Sequence, residues 1–359
     1  MSGLSHTYFL GLSAVGFNYL WGELIRNGAA QAIGAVRRGG VFPDGTIVRR
    51  TFTGLPGLDS YVLSPVIFYD GVTNGQNLAH HLLLVSLFST MQSTSVCMLA
   101  SGWRKGRRKW YSTLEYIAWG VLNQAWGAAF VYPLWCFFNA QYLLGGNGDN
   151  TIGPMEGEET QALLASTILS CAAPMMLIYP AYFRCSSRTR QGLTALYRIV
   201  PVALGLLQPL ISNLLKWFSR EAISQERAKQ YARASLALSG TYSAFCHLYA
   251  LTASLLSSRT SVGEVFLPPS TVVEKSSTSI IADGAHKFLQ YDWIVVAAAL
   301  IPFAYLAMHS GGKGERSETH DGWISRKLSW IPRGLASFSM AGLVLSPGAV
   351  LSWALAARI

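Results

Sequence analysis

The sequence predicts an all-α integral membrane protein with about eight transmembrane helices in a single polytopic domain, residues 1–359. Two features of the composition predict this class. Hydrophobic residues make up 51% of the chain and charged residues only 13%, whereas a soluble chain carries about 25% charged residues. Long apolar runs also recur from one end of the chain to the other. Much of the protein surface must therefore face lipid rather than water.

Eight apolar runs are each close to the roughly 20 residues that a helix needs to cross the hydrocarbon core. Hydrocarbon offers no partner for an unpaired backbone amide, so each run is predicted to be helical. The only acidic or basic residues inside these runs are Glu115, Arg198 and Asp292. The predicted spans are residues 4–22, 79–100, 114–138, 161–183, 194–215, 234–257, 291–308 and 335–357.

A ninth apolar stretch, residues 51–70, contains Pro56, Asp59 and Pro65. Proline interrupts helical hydrogen bonding, and a carboxylate in the middle of a bilayer is costly. These residues predict a re-entrant or short helical segment that folds back into the protein. If the stretch instead crossed the bilayer, the orientation of everything before it would be inverted.

The connections between the spans differ in charge. Loops 101–113 and 184–192 are basic, whereas loop 140–160 carries only acidic charges. The positive-inside rule therefore predicts that the two basic loops lie on the cytoplasmic side. Among the long connections, 258–290 and 309–333 are expected to be mobile loops.

The net charge of +10 at pH 7 is dispersed, and no nucleic-acid recognition module is visible. Basic residues beside helices contact anionic headgroups, so membrane lipids are expected partners and nucleic acid is not. The five cysteines show no CxxC and no Cys/His spacing for zinc. The sequence also lacks an Asp-rich magnesium pair, DxDD, GxSxG, a P-loop and HExxH. It therefore predicts no metal and no cofactor, and leaves acid–base chemistry in an apolar cavity.

The third predicted span carries polar and aromatic residues at helical spacing from Glu115. Such residues either line a cavity or serve as core and membrane-belt residues, and a carboxylate at a helix end can simply reach interfacial water. Asp292 lies at a predicted helix end as well, whereas Asp59 lies deeper within an apolar segment. The other candidates on the third span are Trp119, Asn123, Gln124, Trp126 and Tyr132.

The sixth predicted span carries a continuous stripe of small and polar residues. A stripe of this kind either lines a cavity or packs against neighbouring membrane helices. Its histidine is either a hydrogen-bonded interior residue or a base. The stripe consists of Ser239, Tyr242, Ser243, Cys246 and His247.

The order of six segments resembles that of the fungal membrane-bound terpene cyclases of the ascofuranone, ascochlorin and macrophorin meroterpenoid pathways. One segment is the sixth span with its histidine. The others are TGLPGLDSYVLSPVIFYDG at 53–71, VLNQAWGAAFVYPLW at 121–135, ILSCAAPMMLIYP at 168–180, TALYRIVPVALGLLQ at 194–208 and FLQYD at 288–292. The matches extend from about residue 50 to residue 300, and their order together with the span layout carries the resemblance.

The resemblance implies an enzyme of secondary metabolism that folds a farnesyl chain attached to an aromatic or polyketide head. Such an enzyme protonates a terminal epoxide or alkene, and cyclisation proceeds through carbocations. This farnesylated substrate is the expected small-molecule partner. Other enzymes of the same pathway are among the partners that such a role allows, and the endoplasmic reticulum is the expected location.

The resemblance also suggests roles for the candidate residues. Burial in apolar surroundings raises the pKa of a carboxyl group, so that it can stay protonated near neutral pH. Asp59 and Asp292 are the leading candidates for the acid, and Glu115 is the third. The remaining candidates would bind the substrate: Asn123, Gln124 and Tyr242 as orienting groups, Trp119, Trp126 and Tyr132 as cation-stabilising rings, and His247.

Two other functions remain open from the sequence. A transporter or exporter of a small amphipathic metabolite would use broken segments such as 51–70, although no internal repeat at half-chain spacing is visible. A membrane acyl- or prenyltransferase would need a donor site, and only His247 supports one.

Overall fold

The computed structural model describes residues 2–102, 109–144, 157–218, 223–269, 280–309 and 333–359. Within these ranges the regular secondary structure is helical, apart from one isolated antiparallel bridge between Val41 and Ile47. The predicted all-α class is therefore confirmed. The helices are α1 (Ser2–Phe17), α2 (Glu23–Arg26), α3 (Ala29–Gly39), α4 (Pro56–Thr73), α5 (Leu78–Ser101), α6 (Lys109–Trp126), α7 (Ala128–Leu144), α8 (Gly157–Ser170), α9 (Ala172–Tyr182), α10 (Ser187–Tyr197), α11 (Val200–Phe218), α12 (Gln225–Leu256), α13 (Val262–Phe266), α14 (Ile280–His309), α15 (Arg333–Leu345) and α16 (Pro347–Ala356), and a π-helical turn, Asn18–Gly22, joins α1 to α2.

Helix α5 forms the centre of the bundle. Asn77 caps its first turn, because Asn77 Oδ1 accepts a hydrogen bond from the Ala79 N–H at 2.8 Å. From Ala79 to Ala100, every residue except Ser95 is buried. Helices α9, α12 and α16 pack against α5, so the helix is enclosed by protein rather than by lipid.

A second group of helices encloses the space beside α5. Helix α7 packs against α1 and α14, α4 packs against α10 and α14, and α6 packs against α7 and α11. These contacts bring the ends of α6, α10 and α14 close to one face of α4. The candidate site lies in this region.

Three helical segments of the described ranges are long and apolar enough to cross a membrane: Leu78–Ser101, Gly157–Tyr182 and Ile280–His309. A fourth results if α10 and α11, which are bent by 54°, are counted as one span. This number is smaller than the eight predicted spans. Exposed apolar side chains on the outside of the bundle are consistent with contact to lipid, for example Trp217, Phe218 and Leu256.

Local breaks account for part of the difference between predicted and observed spans. Gly127, with φ +91°, separates α6 from α7 inside the predicted span 114–138. Ser346, with φ +130°, separates α15 from α16 in the same way. Each half is shorter than a bilayer-crossing helix, since a single helix needs about 20 residues to span the hydrocarbon core.

The structure describes the stretch 51–70 and parts of the two predicted loops. The stretch 51–70 was expected to be re-entrant or a short helix, and the structure shows an 18-residue helix, α4, with Pro56 in its first turn and Pro65 inside it. Helix α14 begins at Ile280, so the last part of the predicted loop 258–290 is helical, because its apolar residues pack into the core. Residues 270–279, and nearly all of the predicted loop 309–333, lie outside the described residues.

Candidate active site

A cavity of about 370 Å³ lies between α4, α5, α6, α10 and α14. A smaller cavity of about 50 Å³ adjoins it and shares five lining residues with it, among them Asn123 and Gln124. Cavities of a few hundred cubic ångströms with few polar groups are typical of small-molecule sites. The aromatic residues of the larger cavity are Trp21, Tyr61, Phe68, Tyr69, Phe88, Tyr197 and Phe288.

Asp292 supplies a carboxyl group to the wall of the larger cavity. It lies on α14 and is 2% exposed. Its Oδ1 accepts a hydrogen bond from the Ala129 N–H at 2.6 Å. Ala129 is in the first turn of α7, where backbone N–H groups have no partner within the helix. The start of one helix therefore fixes the carboxyl group of another.

Gly127 makes this arrangement possible. Its positive φ of +91° ends α6 and allows α7 to begin one residue later. A Cβ atom at this position would lie 2.5 Å from Leu20 Cδ1 and 3.5 Å from Asp292 Oδ1. Glycine is therefore favoured by the turn, and a side chain here would also displace Leu20, whereas its contact with Asp292 would be an ordinary one.

Arg198 supplies a guanidinium group to the same cavity. It lies in the break between α10 and α11 and is 8% exposed. Arg198 Nη1 donates to Gln124 Oε1 at 2.7 Å, and Nη2 donates to the Tyr61 hydroxyl at 3.2 Å. In the sequence Arg198 stands out only as a charge inside a predicted span, although a lone arginine in an apolar segment is itself a signal for a functional site.

The predicted residues Asn123, Gln124, Trp119 and Tyr132 come together around the two cavities. Asn123 Nδ2 donates to the Tyr132 hydroxyl at 3.4 Å. Asn123 Oδ1 is buried and has no hydrogen-bond partner in the described structure. A polar atom left in this state is available to a ligand. The structure thus brings these four residues and Asp292 to two adjoining cavities.

Asp59 does not line the cavity and holds a local turn instead. Its carboxylate accepts hydrogen bonds from the N–H groups of Phe52, Thr53 and Gly54, and from the Thr53 hydroxyl. The N–H of Thr53, followed by the other donors, lowers the pKa of Asp59 below its ordinary value. A carboxylate with this many donors is a poor proton donor, so the structure does not favour Asp59 as the acid.

Glu115 and Trp126 also lie outside the lining of the two cavities. Glu115 lines a shallow groove on the outer face of α6 with Tyr111 and Leu114, and its Oε1 is 3.5 Å from Trp119 Nε1. The Trp126 side chain is 43% exposed and contacts Phe17. The sequence predicts one helix face that runs from Glu115 through Trp119 and Asn123 to Trp126, whereas only Trp119 and Asn123 of these four line the cavities.

Tyr242 and His247 lie on α12, away from the cavity lining. The Tyr242 hydroxyl donates to the Cys171 carbonyl at 3.2 Å. Both ring nitrogens of His247 are engaged: Nδ1 with the Ser86 hydroxyl at 2.6 Å and Nε2 with the Leu343 carbonyl at 3.0 Å. The packing explanation for the sixth-span stripe therefore fits the structure better than the cavity explanation.

The fold and the cavity define a class: an all-helical protein with an aromatic-walled cavity whose described lining holds one carboxyl group and one guanidinium group. Within the described residues, no group of three or more His, Cys, Asp or Glu side chains is placed to hold a metal ion. Residues 5–358 match the family model described as the CtvD domain. The chain belongs to this family.

Its relatives carry a common name. The chain is 34% identical to Terpene cyclase alnG of Emericella nidulans, over 98% of this chain and 93% of the relative. It is 29% identical to Terpene cyclase DEP1 of Fusarium langsethiae, over 99% of this chain and 98% of the relative. Terpene cyclase DEP1 of Alternaria brassicicola is 26% identical over 100% of this chain and 99% of the relative. No solved structure matches the chain. The resemblance to fungal terpene cyclases is therefore confirmed.

Proposed function

We propose that this protein is a membrane-bound terpene cyclase that protonates the terminal epoxide or alkene of a farnesylated substrate and cyclises it without a metal. The observation that carries the proposal is Asp292, a buried carboxyl group on the wall of an aromatic cavity. The relatives named terpene cyclase support the reaction class. The aromatic or polyketide head and the role in fungal secondary metabolism follow from the resemblance of the motifs.

Asp292 is the acid in this proposal. Because Oδ1 is bonded to the Ala129 N–H, the proton is carried by Oδ2. Transfer of that proton to the epoxide oxygen breaks a C–O bond and leaves a hydroxyl group and a tertiary carbocation. With an alkene, the proton adds to one carbon and leaves the cation on the other.

Ring closure then follows from the π electrons of the substrate itself. Each neighbouring alkene attacks the cation, forms a C–C bond and moves the positive charge along the chain. Loss of a proton from a carbon next to the last cation ends the reaction, and a proton returned to Asp292 restores the acid. The product is then an isomer of the substrate.

The walls of the cavity suit this chemistry. The face of an aromatic ring attracts a cation by about 0.5–2 kcal/mol. The cavity that Asp292 lines is also lined by Phe68, Phe88 and Tyr69. In this proposal these rings stabilise the cation, a role that the sequence had suggested for Trp126. Apolar walls also keep out water, which would otherwise capture the cation before the rings form.

Asn123 and Gln124 orient the reacting groups in this proposal. Asn123 Oδ1 has no partner of its own in the described chain, so it can accept a hydrogen bond from a hydroxyl group of the substrate. Gln124 is fixed through its bond to Arg198. Trp119 and Tyr132 line the smaller cavity, where they would contact one end of a folded chain.

The test is mass spectrometry of microsomes that contain the protein and are supplied with farnesylated phenols, with and without a terminal epoxide. A product of unchanged mass and new retention time, formed in the presence of EDTA, is the expected result. A product only after metal is added would contradict metal-free cyclisation. An adduct one water heavier would show that solvent captures the cation.

The transporter remains the second candidate because of the 54° bend between α10 and α11. Broken helices of this kind occur at transport sites, and Arg198 lies at the bend. The same incubation separates the two functions, since a transporter would leave every substrate chemically unchanged. Fractionation of cells on a density gradient tests the proposed location in the endoplasmic reticulum.

A further inference from the structure

Arg198 is the one charged residue of the described cavity lining that the proposed reaction leaves without a role. A guanidinium group cannot be deprotonated in a protein, so it stays charged even when buried. The side chain is 8% exposed. The cavity wall therefore contains a permanent positive charge almost entirely removed from water.

No described acidic side chain neutralises this charge. The two acceptors of Arg198, Gln124 Oε1 and the Tyr61 hydroxyl, are both uncharged. Arg198 Nε is buried and has no partner in the described residues. No described carboxylate, including Asp292, lies within ion-pair distance of it. A buried, unpaired charge is costly to a fold, so its presence here calls for a partner that the described residues do not supply.

A purely structural explanation fits the geometry less well. Arg198 follows the last residue of α10, and a cation at the carboxyl end of a helix is favourable. A residue in that role would direct its guanidinium at the last carbonyl groups of α10. The hydrogen bonds instead run to Tyr61 on α4 and Gln124 on α6, across the space between the helices. The guanidinium carbon also lies 5.2 Å from the centre of the Tyr61 ring. This contact helps to hold the guanidinium group in its orientation.

We propose that Arg198 binds an anionic oxygen on the head of the substrate, such as an ionised phenol, an enolate or a carboxylate attached to the aromatic or polyketide part. Arg198 offers Nε and unused Nη hydrogens, and Gln124 and Tyr61 hold the guanidinium in place. Bonds between a guanidinium and an anionic oxygen are about twice as strong as neutral ones. This inference rests on the proposed function, because it assumes a substrate with a polar head and an apolar chain.

Arg198 then determines which end of the substrate faces which wall. Arg198 and Asp292 line one cavity but are not ion-paired. A head bound at Arg198 leaves the farnesyl chain among the aromatic rings and its terminal group available to Asp292. Arg198 is a specificity-determining residue for the head, and it takes no part in the proton transfer.

The experiment pairs one change in the protein with one change in the ligand. The ligands are a farnesylated phenol with a free acidic hydroxyl and its O-methyl ether, which cannot ionise. The variants are Arg198→Gln and Arg198→Lys. The matched control is Arg188→Gln, which removes the same charge from an exposed position on α10, the helix that ends one residue before Arg198.

We expect Arg198→Gln to raise the KM for the free phenol by about 10–100-fold, the range typical of a lost charge-assisted hydrogen bond. The KM for the methyl ether should change by no more than about threefold. Arg198→Lys should fall between wild type and Arg198→Gln, because lysine keeps the charge and loses the planar fork. Arg188→Gln should match wild type with both ligands. An equal loss for both ligands would overturn the proposal.

A binding measurement keeps the inference separate from the proposed reaction. Trp21 lines the cavity, so quenching of tryptophan fluorescence in detergent reports binding without turnover. If the wild type binds the phenol more tightly than the ether but forms no product, the head site stands and the cyclase proposal fails. If the wild type binds both ligands equally, the head site is wrong even where cyclisation is observed. This comparison of the two ligands in the wild-type protein tests the head site even if Arg198→Gln does not fold.

Discussion

Two of the regions in which the bundle buries polar groups treat them in opposite ways. The first region, here called the polar seam, joins α5, α12 and α16 and consists of Ser93, Ser243, His247, Ser346 and Ser352. Ser243 Oγ lies 2.7 Å from Ser346 Oγ, and Ser93 Oγ lies 2.7 Å from Ser352 Oγ. Each member of the polar seam has a partner inside the protein.

The second region is the cavity, where the polar atoms are only partly satisfied. Arg198 Nε and Asn123 Oδ1 are buried without a partner in the described chain. The Asp292 carboxyl uses one oxygen to cap α7 and presents the group to an open space. Buried polar atoms are usually paired, so unpaired ones beside a cavity indicate a ligand. Buried polar atoms that are paired with each other between helices indicate a role in helix packing.

The largest effect is expected at the cavity. Asp292→Asn should lower kcat by about 10²–10⁴-fold, the range for loss of a positioned general acid. Folding should persist, because the amide oxygen of asparagine can still accept the Ala129 N–H. The measurement is cyclised product per unit of folded protein, with the thermal unfolding temperature as the control. Full turnover by Asp292→Asn would remove the carboxylic acid from the mechanism.

The polar seam should respond in the opposite way. His247→Leu removes two hydrogen bonds and leaves the Ser86 hydroxyl and the Leu343 carbonyl without their partner. We expect the free energy of unfolding to fall by about 2–4 kcal/mol. The kcat of the protein that remains folded should be unchanged. Loss of turnover at an unchanged unfolding temperature would instead place His247 in the chemistry.

The contrast between the two regions also shows which features of the site could be predicted from the sequence. Asn123, Gln124 and Asp292 could be chosen as candidates from the sequence, because a polar residue in an apolar run must face something other than lipid, and the structure places all three on the lining of one cavity. Trp126 was predicted to bind the substrate, but it lies outside the cavity lining. A helical pattern in the sequence does not indicate the positive φ of Gly127, which ends α6. Arg198 was not predicted as a site residue, because its position on the cavity wall depends on the bend between α10 and α11, which is a tertiary feature.

A smaller effect is expected at Asp59. Its lowered pKa means that its stabilising bonds are complete above the unfolded-state pKa of about 3.9 and are lost as the pH falls through the lowered folded-state pKa. Asp59→Asn should therefore be less stable than wild type near neutral pH, and the two should converge in acid. Unfolding temperatures between about pH 7 and pH 3 provide the measurement. Turnover at neutral pH should stay within about threefold of wild type, because Asp59 does not line the cavity.

The smallest effect is expected at Glu115, which provides the closest control for Asp292. Both are carboxyl groups inside predicted spans, but Glu115 lines a groove on the outer face of α6, whereas Asp292 is buried and lines the cavity between the helices. Glu115→Gln keeps the shape of the side chain and its contact with Trp119, so turnover and unfolding temperature should each stay close to wild type, within about twofold for the rate. The same substrate and the same detergent serve for both variants. A loss of turnover in Glu115→Gln as large as that in Asp292→Asn would contradict this prediction. A position on the cavity lining would then not distinguish a catalytic carboxyl group from a non-catalytic one, and the comparison between the regions would fail.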